Sequence, residues 1–311
     1  MLNKNVIEQR SGKNWTVYHG DCVEICSGLP DNSIDFCLHS PPFSNLYIYS
    51  DSISDMGNCS NDEEFFEQYS FLIEQLHRIT TPGRLCAVHC KDLPLYRNRD
   101  GAAGLKDFPG DIIRAFIAKG WTYHSRVTIW KDPVIEMQRT KNHGLLYKNF
   151  KVRGEVCRQG MADFLVVFRK WDGVDGTEST KPVIHNPEDF NLDIWQRYAS
   201  PVWFDIDQTN VLNYQQARSG DDCKHICPLQ LDICDRTIDL WTNPGDVVLD
   251  PFSGLASTGY SAVKKGRKYI GCELKPEYFQ FGCKYLEEAE FSAGQSTLFD
   301  SLPEEYIETF A

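Results

Sequence analysis

A seryl hydroxyl followed by two prolines and an aromatic ring, Ser40-Pro41-Pro42-Phe43, is the stretch of this chain best suited to chemistry. It follows His39 and a short apolar run, Ile34 to Leu38, that reads as a buried strand. The prolines stop the strand and fix the backbone, and neither contributes an N–H. What remains at the strand end is a rigid bend with bare carbonyls, a hydroxyl and a ring. Such a bend can grip a flat group that carries an amino donor. A plain turn after a strand has the same outline, so the bend gains meaning only beside a second site.

That second site lies in the last quarter of the chain. Asp250-Pro251-Phe252-Ser253-Gly254 follows the apolar Val247-Val248-Leu249 and precedes a helical pattern, and Gly271-Cys272-Glu273 ends the next strand. In a doubly wound sheet, ligands bind at the carboxyl ends of strands, where a glycine turn permits close approach and an acid holds ribose hydroxyls. Asp250 can accept from an ammonium or a hydroxyl. No Gly-x-Gly-x-x-Gly and no Gly-Lys-Ser/Thr occurs, which disfavours dinucleotide and P-loop phosphate sites. A nucleoside cofactor without phosphates fits better, and S-adenosyl-L-methionine is the candidate.

The elements that must position these residues alternate. Strands are expected over residues 15–19, 34–38, 85–90, 123–130, 162–168, 246–250 and 268–272. Helices are expected over 23–29, 111–119, 228–241, 257–265 and 276–289. A further helix runs to about Thr80 from a capping box at Ser60-Asn61-Asp62-Glu63, with Pro82-Gly83 as its stop. The residues after Phe43 read as a long loop. The segment between 130 and 162 reads as a basic loop, and 171–222 as an irregular insertion. The fold class expected is α/β: a Rossmann-like, doubly wound, mostly parallel seven-stranded sheet in one domain. Its parts are a catalytic half (15–170), an insertion (171–224), a cofactor half (225–290) and a tail (291–311).

Composition narrows the function. A length of 311 residues allows one large domain or two small ones. A net charge of −12 does not advertise a nucleic-acid binder, so any such contact needs a local basic patch. Arg139, Lys141, Lys148, Lys151, Arg153, Arg158, Arg169 and Lys170, against Glu155 and Asp163, form one. Twelve cysteines without a Cys-x-x-Cys pair read as reduced thiols. Cys223-x-His225-x-Cys227 fits no standard zinc spacing, so no metal is expected. The polar amino terminus and the lack of a long apolar run imply a cytoplasmic protein.

The motifs together resemble the amino-group DNA methyltransferases, over nearly all of residues 15–290. Ser-Pro-Pro-Phe is similar to the family's catalytic (Asp/Asn/Ser)-Pro-Pro-(Tyr/Phe), and Asp-Pro-Phe-Ser-Gly to its cofactor motif. The catalytic half comes first, as in the permuted "beta" group. The resemblance makes Ser40, Pro41, Pro42 and Phe43 catalytic. It gives Asp21, His225, Asp250, Phe252, Ser253, Gly254 and Glu273 to S-adenosyl-L-methionine, with Asp21 in the adenine-contacting turn and Glu273 on the ribose. Where the family has Gly-Thr-Thr after the cofactor motif, this chain has Ala256-Ser257-Thr258.

The implied reaction is methylation of an exocyclic amino group on a flipped-out base. Phe43 would stack on the base while Ser40 and the Pro41 carbonyl accept its N–H groups. Serine is too weak a base to deprotonate an amine first, so attack precedes proton loss. No Pro-Cys occurs, which argues against carbon-5 cytosine chemistry. Serine at the first motif position is commoner among cytosine enzymes, but the residues after Phe43 resemble relaxed-specificity prophage adenine methyltransferases, and adenine is favoured. Host regulation, phage protection and restriction-modification all remain open as roles, in a bacterial or phage-encoded, nucleoid-associated enzyme. The rival classes are RNA or protein-amide methylation and a catalytically dead DNA-binding relic. Arg139, Lys141, Lys148, Lys151, Arg153 and Arg158 are the expected DNA contacts. In the tail, Gln295, Leu298 and Phe299 resemble the peptide by which bacterial proteins dock on the sliding clamp.

Overall fold

The computed structural model describes residues 6–42, 55–140, 147, 151, 159–213 and 228–300, and for 137–140 and 295–300 the backbone alone. Among the described residues there are eleven strands: β1 (Glu8–Ser11), β2 (Trp15–His19), β3 (Ile34–His39), β4 (Thr80–Lys91), β5 (Leu93–Leu95), β6 (Gly104–Lys106), β7 (Thr122–Ile129), β8 (Asp163–Arg169), β9 (Val202–Trp203), β10 (Val247–Asp250) and β11 (Lys268–Glu273). Nine of them form one sheet in the order β1-β2-β11-β10-β3-β4-β8-β7-β9, and β5 and β6 pair separately. The five strands from β2 to β4 are parallel. β8 runs antiparallel to both β4 and β7. The seven expected strands are thus all present, and β1 and β9 extend the two edges.

Helices cover both faces, as a parallel sheet requires. α1 (Cys22–Ser27), α2 (Asp62–Ile79) and α4 (Phe108–Ala118) pack on one face, around Phe65, Tyr69, Leu72, Leu76, Ile112 and Phe116. α7 (Leu231–Trp241), α8 (Ser257–Lys264) and α9 (Pro276–Asp300) cover the other, around Ile233, Ile238, Ala262, Phe279 and Leu286. The shorter α3 (Arg97–Asp100), α5 (Pro133–Thr140) and α6 (Leu192–Tyr198) lie outside these layers. β3, the central strand leading into Ser40, is buried at every position.

Several expected boundaries move for local reasons. The cap of α2 is Asn61, which accepts from Glu64 N–H at 2.9 Å, while the Glu64 carboxylate accepts from Ser60 N–H. The capping pair therefore sits one residue later than expected. α4 begins three residues early because Asp107 accepts from Gly110 N–H and Pro109 occupies the first turn. α2 ends at Ile79, ahead of Pro82-Gly83 as expected, but β4 runs on through the pair, its extra residues taken up by a register shift against Ile34 and Phe36. The supposed basic loop opens with α5, where Asp132 accepts from Val134 and Ile135 N–H.

The 171–222 stretch, expected to be wholly irregular, contributes β9 to the sheet edge and α6. The tail expected from residue 291 continues α9 to Asp300, because Ala293-Gly294 does not break the helix. Among the described residues no helix is long and apolar enough to cross a membrane.

Candidate active site

β10 and β11 end side by side, and each delivers a carboxyl group. Asp250 is 5% exposed, and its Oδ1 accepts from Phe252 N–H at 3.0 Å. Glu273 accepts from Gly254 N–H through Oε2 and from Lys275 N–H through Oε1, both at 2.7 Å. The Phe252–Gly254 turn is thereby held against both acids. Ser253 anchors it further, by N–H to the Cys272 carbonyl at 2.9 Å and by hydroxyl to the Tyr269 hydroxyl at 2.8 Å. Gly254 takes a positive φ of 52°, which only glycine adopts without strain.

Desolvation pushes both acids up to about 7, and for Asp250 the neighbouring Glu273 adds to it. Glu273 keeps part of its surface open, so a ligand can reach it. Two acceptors at adjacent strand ends select hydrogen-bond donors. A carboxylate retains acceptor sites after one backbone bond per oxygen, so Glu273 can still take a pair of hydroxyls. These residues fit a nucleoside with a free ammonium and do not fit a phosphate.

Asp21 stands at the end of β2, next to β11. Its Oδ1 caps α1, accepting from Val23 and Glu24 N–H at 2.8 and 3.1 Å. Gly20 N–H donates to the Glu273 carbonyl, tying this turn to the acid's strand. Phe252 packs its ring 5.8 Å from that of His39 and 6.4 Å from that of Tyr69. It is therefore a shared wall between the Phe252–Gly254 turn and the Ser-Pro-Pro bend.

β3 lies beside β10, with Phe36 opposite Val248 and Cys37 opposite Leu249. That pairing brings Ser40 to the same edge as Asp250. Below the bend, His39 is fully buried, with Nε2 2.7 Å from the Tyr69 hydroxyl and Nδ1 3.3 Å from Cys37 Sγ. Burial holds its imidazole neutral, down to about 3. Cys37, His39 and Cys86 bring ligand atoms within 4.8 Å of one another. Burial drives the Cys37 thiol up, so the trio forms a neutral, hydrogen-bonded floor.

Ser40 itself is engaged by a residue that sequence reading missed. Its Oγ lies 3.3 Å from His89 Nδ1 and 3.2 Å from the His89 carbonyl oxygen. His89 Nε2 lies 3.2 Å from Asp163 Oδ2, and Lys131 Nζ 2.6 Å from the same oxygen. The available signal was a histidine near the end of an otherwise apolar strand, Leu85-Cys86-Ala87-Val88-His89.

Phe43, His225, Lys141, Lys148, Arg153 and Arg158 lie outside the described residues, as do Cys223 and Cys227. Arg139 is described only as backbone within α5, and Lys151 is exposed.

Residues 34–284 match the family described as N6_N4_Mtase, DNA methylase. The type II methyltransferase M.BglI of Bacillus subtilis is 40% identical, covering 88% of this chain and 86% of its own. The DNA adenine methyltransferase YhdJ of Escherichia coli is 24% identical over 88% of this chain and 83% of its own. The type II methyltransferase M.BamHI of Bacillus amyloliquefaciens is also 24% identical, and this chain spans about half of that relative's length (54%). Among solved structures, the cytosine-N4-specific PvuII DNA methyltransferase aligns with a TM-score of 0.63 at 18% identity, over 94% of this chain and 96% of its own. TTHA0409 of Thermus thermophilus, complexed with S-adenosyl-L-methionine, aligns with a TM-score of 0.63 at 19% identity, over 89% and 96%. At these identities the likeness is one of fold.

Proposed function

The chain belongs to the N6_N4_Mtase family of DNA methylases, and from that premise we propose that it transfers the methyl group of S-adenosyl-L-methionine to the exocyclic amino group of a base in DNA. The observation that carries the reading is the adjacency of β3 and β10, which sets Ser40-Pro41 beside a two-carboxylate nucleoside site. Glu273 would hold the ribose hydroxyls and Asp250 the donors at the other end, with Phe252, Ser253 and Gly254 shaping the turn between them. Asp21 and His225 are also assigned to the cofactor. The bound cofactor supplies an electrophilic methyl group; the protein supplies position.

A base amino group is buried in the duplex, so the base is extruded to reach the bend. The Ser40 hydroxyl and the Pro41 carbonyl accept its two N–H groups, Pro42 holds the bend rigid, and Phe43 stacks on the ring. Orientation of this kind supplies most of the rate in such transfers. Arg139, Lys141, Lys148, Lys151, Arg153 and Arg158 are assigned to DNA phosphates, which position the duplex without reading it. Docking on a sliding clamp through Gln295, Leu298 and Phe299 would require those residues to leave α9, where their backbone lies. DNA is the partner this reading retains.

Adenine is the first reading for the base, in keeping with the adenine methyltransferase among the relatives. Cytosine is the second, favoured by a serine at position 40. The name of the 40%-identical relative supports a place in a type II restriction-modification pair. Treated duplex DNA, digested to nucleosides and analysed by mass spectrometry, is expected to contain N6-methyladenine. N4-methylcytosine would select the second reading, and no methylated nucleoside would overturn both.

A further inference from the structure

We infer that His89, held by Asp163, is the proton acceptor behind Ser40, so that the serine works as one member of a relay and not as an isolated hydroxyl. The inference rests on the amino-methylation reading. The groups come from successive strands of the sheet: Ser40 at the end of β3, His89 on β4, Asp163 opening β8 and Lys131 just beyond β7. The last two are only 8% exposed. A buried lysine 2.6 Å from Asp163 Oδ2, with the imidazole on the same oxygen, keeps that acid a carboxylate well below the usual range.

A carboxylate only accepts, so His89 Nε2 carries the hydrogen. In a neutral imidazole the lone pair is then on Nδ1, facing Ser40 Oγ. The Ser40 proton can go to Nδ1 or to the His89 carbonyl, and either choice leaves an oxygen lone pair for the amino N–H. A hydroxyl alone cannot retain a second proton, whereas an imidazole beside a carboxylate can.

The step balances as follows. The amino nitrogen bonds to the methyl carbon of the sulfonium, the carbon–sulfur bond breaks, and its electron pair stays on sulfur as a thioether. The surplus proton on the methylated nitrogen passes to Ser40 Oγ while the Ser40 proton passes to His89 Nδ1. The imidazolium formed is paired with Asp163 and later returns its proton to solvent. Asp163 and Lys131 are the charged groups facing the ring. Asp92, Asp107 and Arg126 act on Cys90, the next residue of β4, whose side chain points to the other face.

The test is single-turnover methylation of duplex DNA from pH 5 to 9 by the full chain and by His89→Asn, with cofactor affinity measured by calorimetry. With cofactor kept saturating at every pH, so that Asp250 and Glu273 do not limit binding, the wild-type rate is expected to fall on the acid side. His89→Asn is expected to bind the cofactor as wild type does, to turn over at least ~10-fold more slowly, and to lose that acid limb. An unchanged rate and profile in His89→Asn would overturn the relay. Wild-type protein that methylates no DNA base would instead overturn the functional reading. If His89→Asn fails to bind cofactor, 15N NMR of the wild-type histidines decides: a His89 protonated on Nδ1 in its neutral form overturns the relay, and one protonated on Nε2 supports it.

Discussion

Asp250 and Glu273 sit near 7 because burial opposes their charge, with Glu273 adding to it for Asp250 and Asp55 adding to it for Glu273. Under the cofactor assignment proposed for them, ligand donors would favour the ionised forms, and binding would lower both values and release protons. Affinity is therefore complete above about pH 7 and is lost as pH falls below it. The expected weakening is up to about tenfold per pH unit for each group. Calorimetry between pH 8 and 5.5 checks this, and Glu273→Gln should remove its share of the dependence along with most of its binding. A Kd flat across that range would contradict the assignment. The sign reverses for the stability of the free protein: these acids cost it nothing below their ordinary values, roughly pH 4, and a growing amount as pH rises from there to about 7, above which the cost stays constant. Ala256, in place of the family's glycine, does adopt a left-handed φ of 65°. That conformation costs alanine about 1–2 kcal/mol, but its methyl is fully buried in the core, and glycine would cost about 0.5–1 kcal/mol in the unfolded chain. The terms nearly offset, which explains why the departure is tolerated.

At the scale of elements, β11 and the cofactor turn touch through a residue with no side chain. A Cβ on Gly271 would stand 2.7 Å from the Tyr269 hydroxyl and 2.8 Å from Ser253 Oγ. Tyr269 is 1% exposed and already bonded to Ser253, so it has little room to yield. Gly271→Ala is expected to cost about 1–3 kcal/mol and to weaken cofactor binding by moving Ser253. Thermal unfolding and calorimetry read the two effects, and a variant unchanged in both would show that the turn is free to shift. β4 teaches the converse. Proline and glycine at 82–83 follow the end of α2, yet β4 bulges against β3 and carries them within a strand. A turn signal reports local preference, and here the pairing of two buried strands outweighs it.

At the scale of the whole molecule, distant segments meet at the end of the sheet opposite the site. Arg84 is buried against Asp246, and its Nε donates to the Asp35 carbonyl and its other nitrogens to the carbonyls of Lys181 and Trp241. Lys181 Nζ bridges Asp35 and Asp246 at 2.7 and 2.8 Å. Residues from β3, β4, β10 and the 171–213 stretch are thereby locked around one guanidinium. Arg84→Met would leave Asp246 buried with only the half-exposed Lys181 for charge, and is expected to destabilise by about 3–5 kcal/mol. Urea unfolding measures it, and a loss below about 1 kcal/mol would show that the lysine suffices.

The strands, the two face-covering helix sets and the placement of Ser40, Asp250 and Glu273 at strand ends were legible in the sequence, because apolar period, glycine and proline punctuation and strand-end acids are local signals. Nothing local orders the strands. β10 and β11 enter between β2 and β3, and only that insertion sets Asp250 beside Ser40. Nor does any local pattern join His89, Asp163 and Lys131 to Ser40, for these residues are separated in the chain by loops and meet only across neighbouring strands. Ser40-Pro41-Pro42 offers a strand-end acceptor by its own residue types. What stands behind that acceptor was decided by sheet order alone.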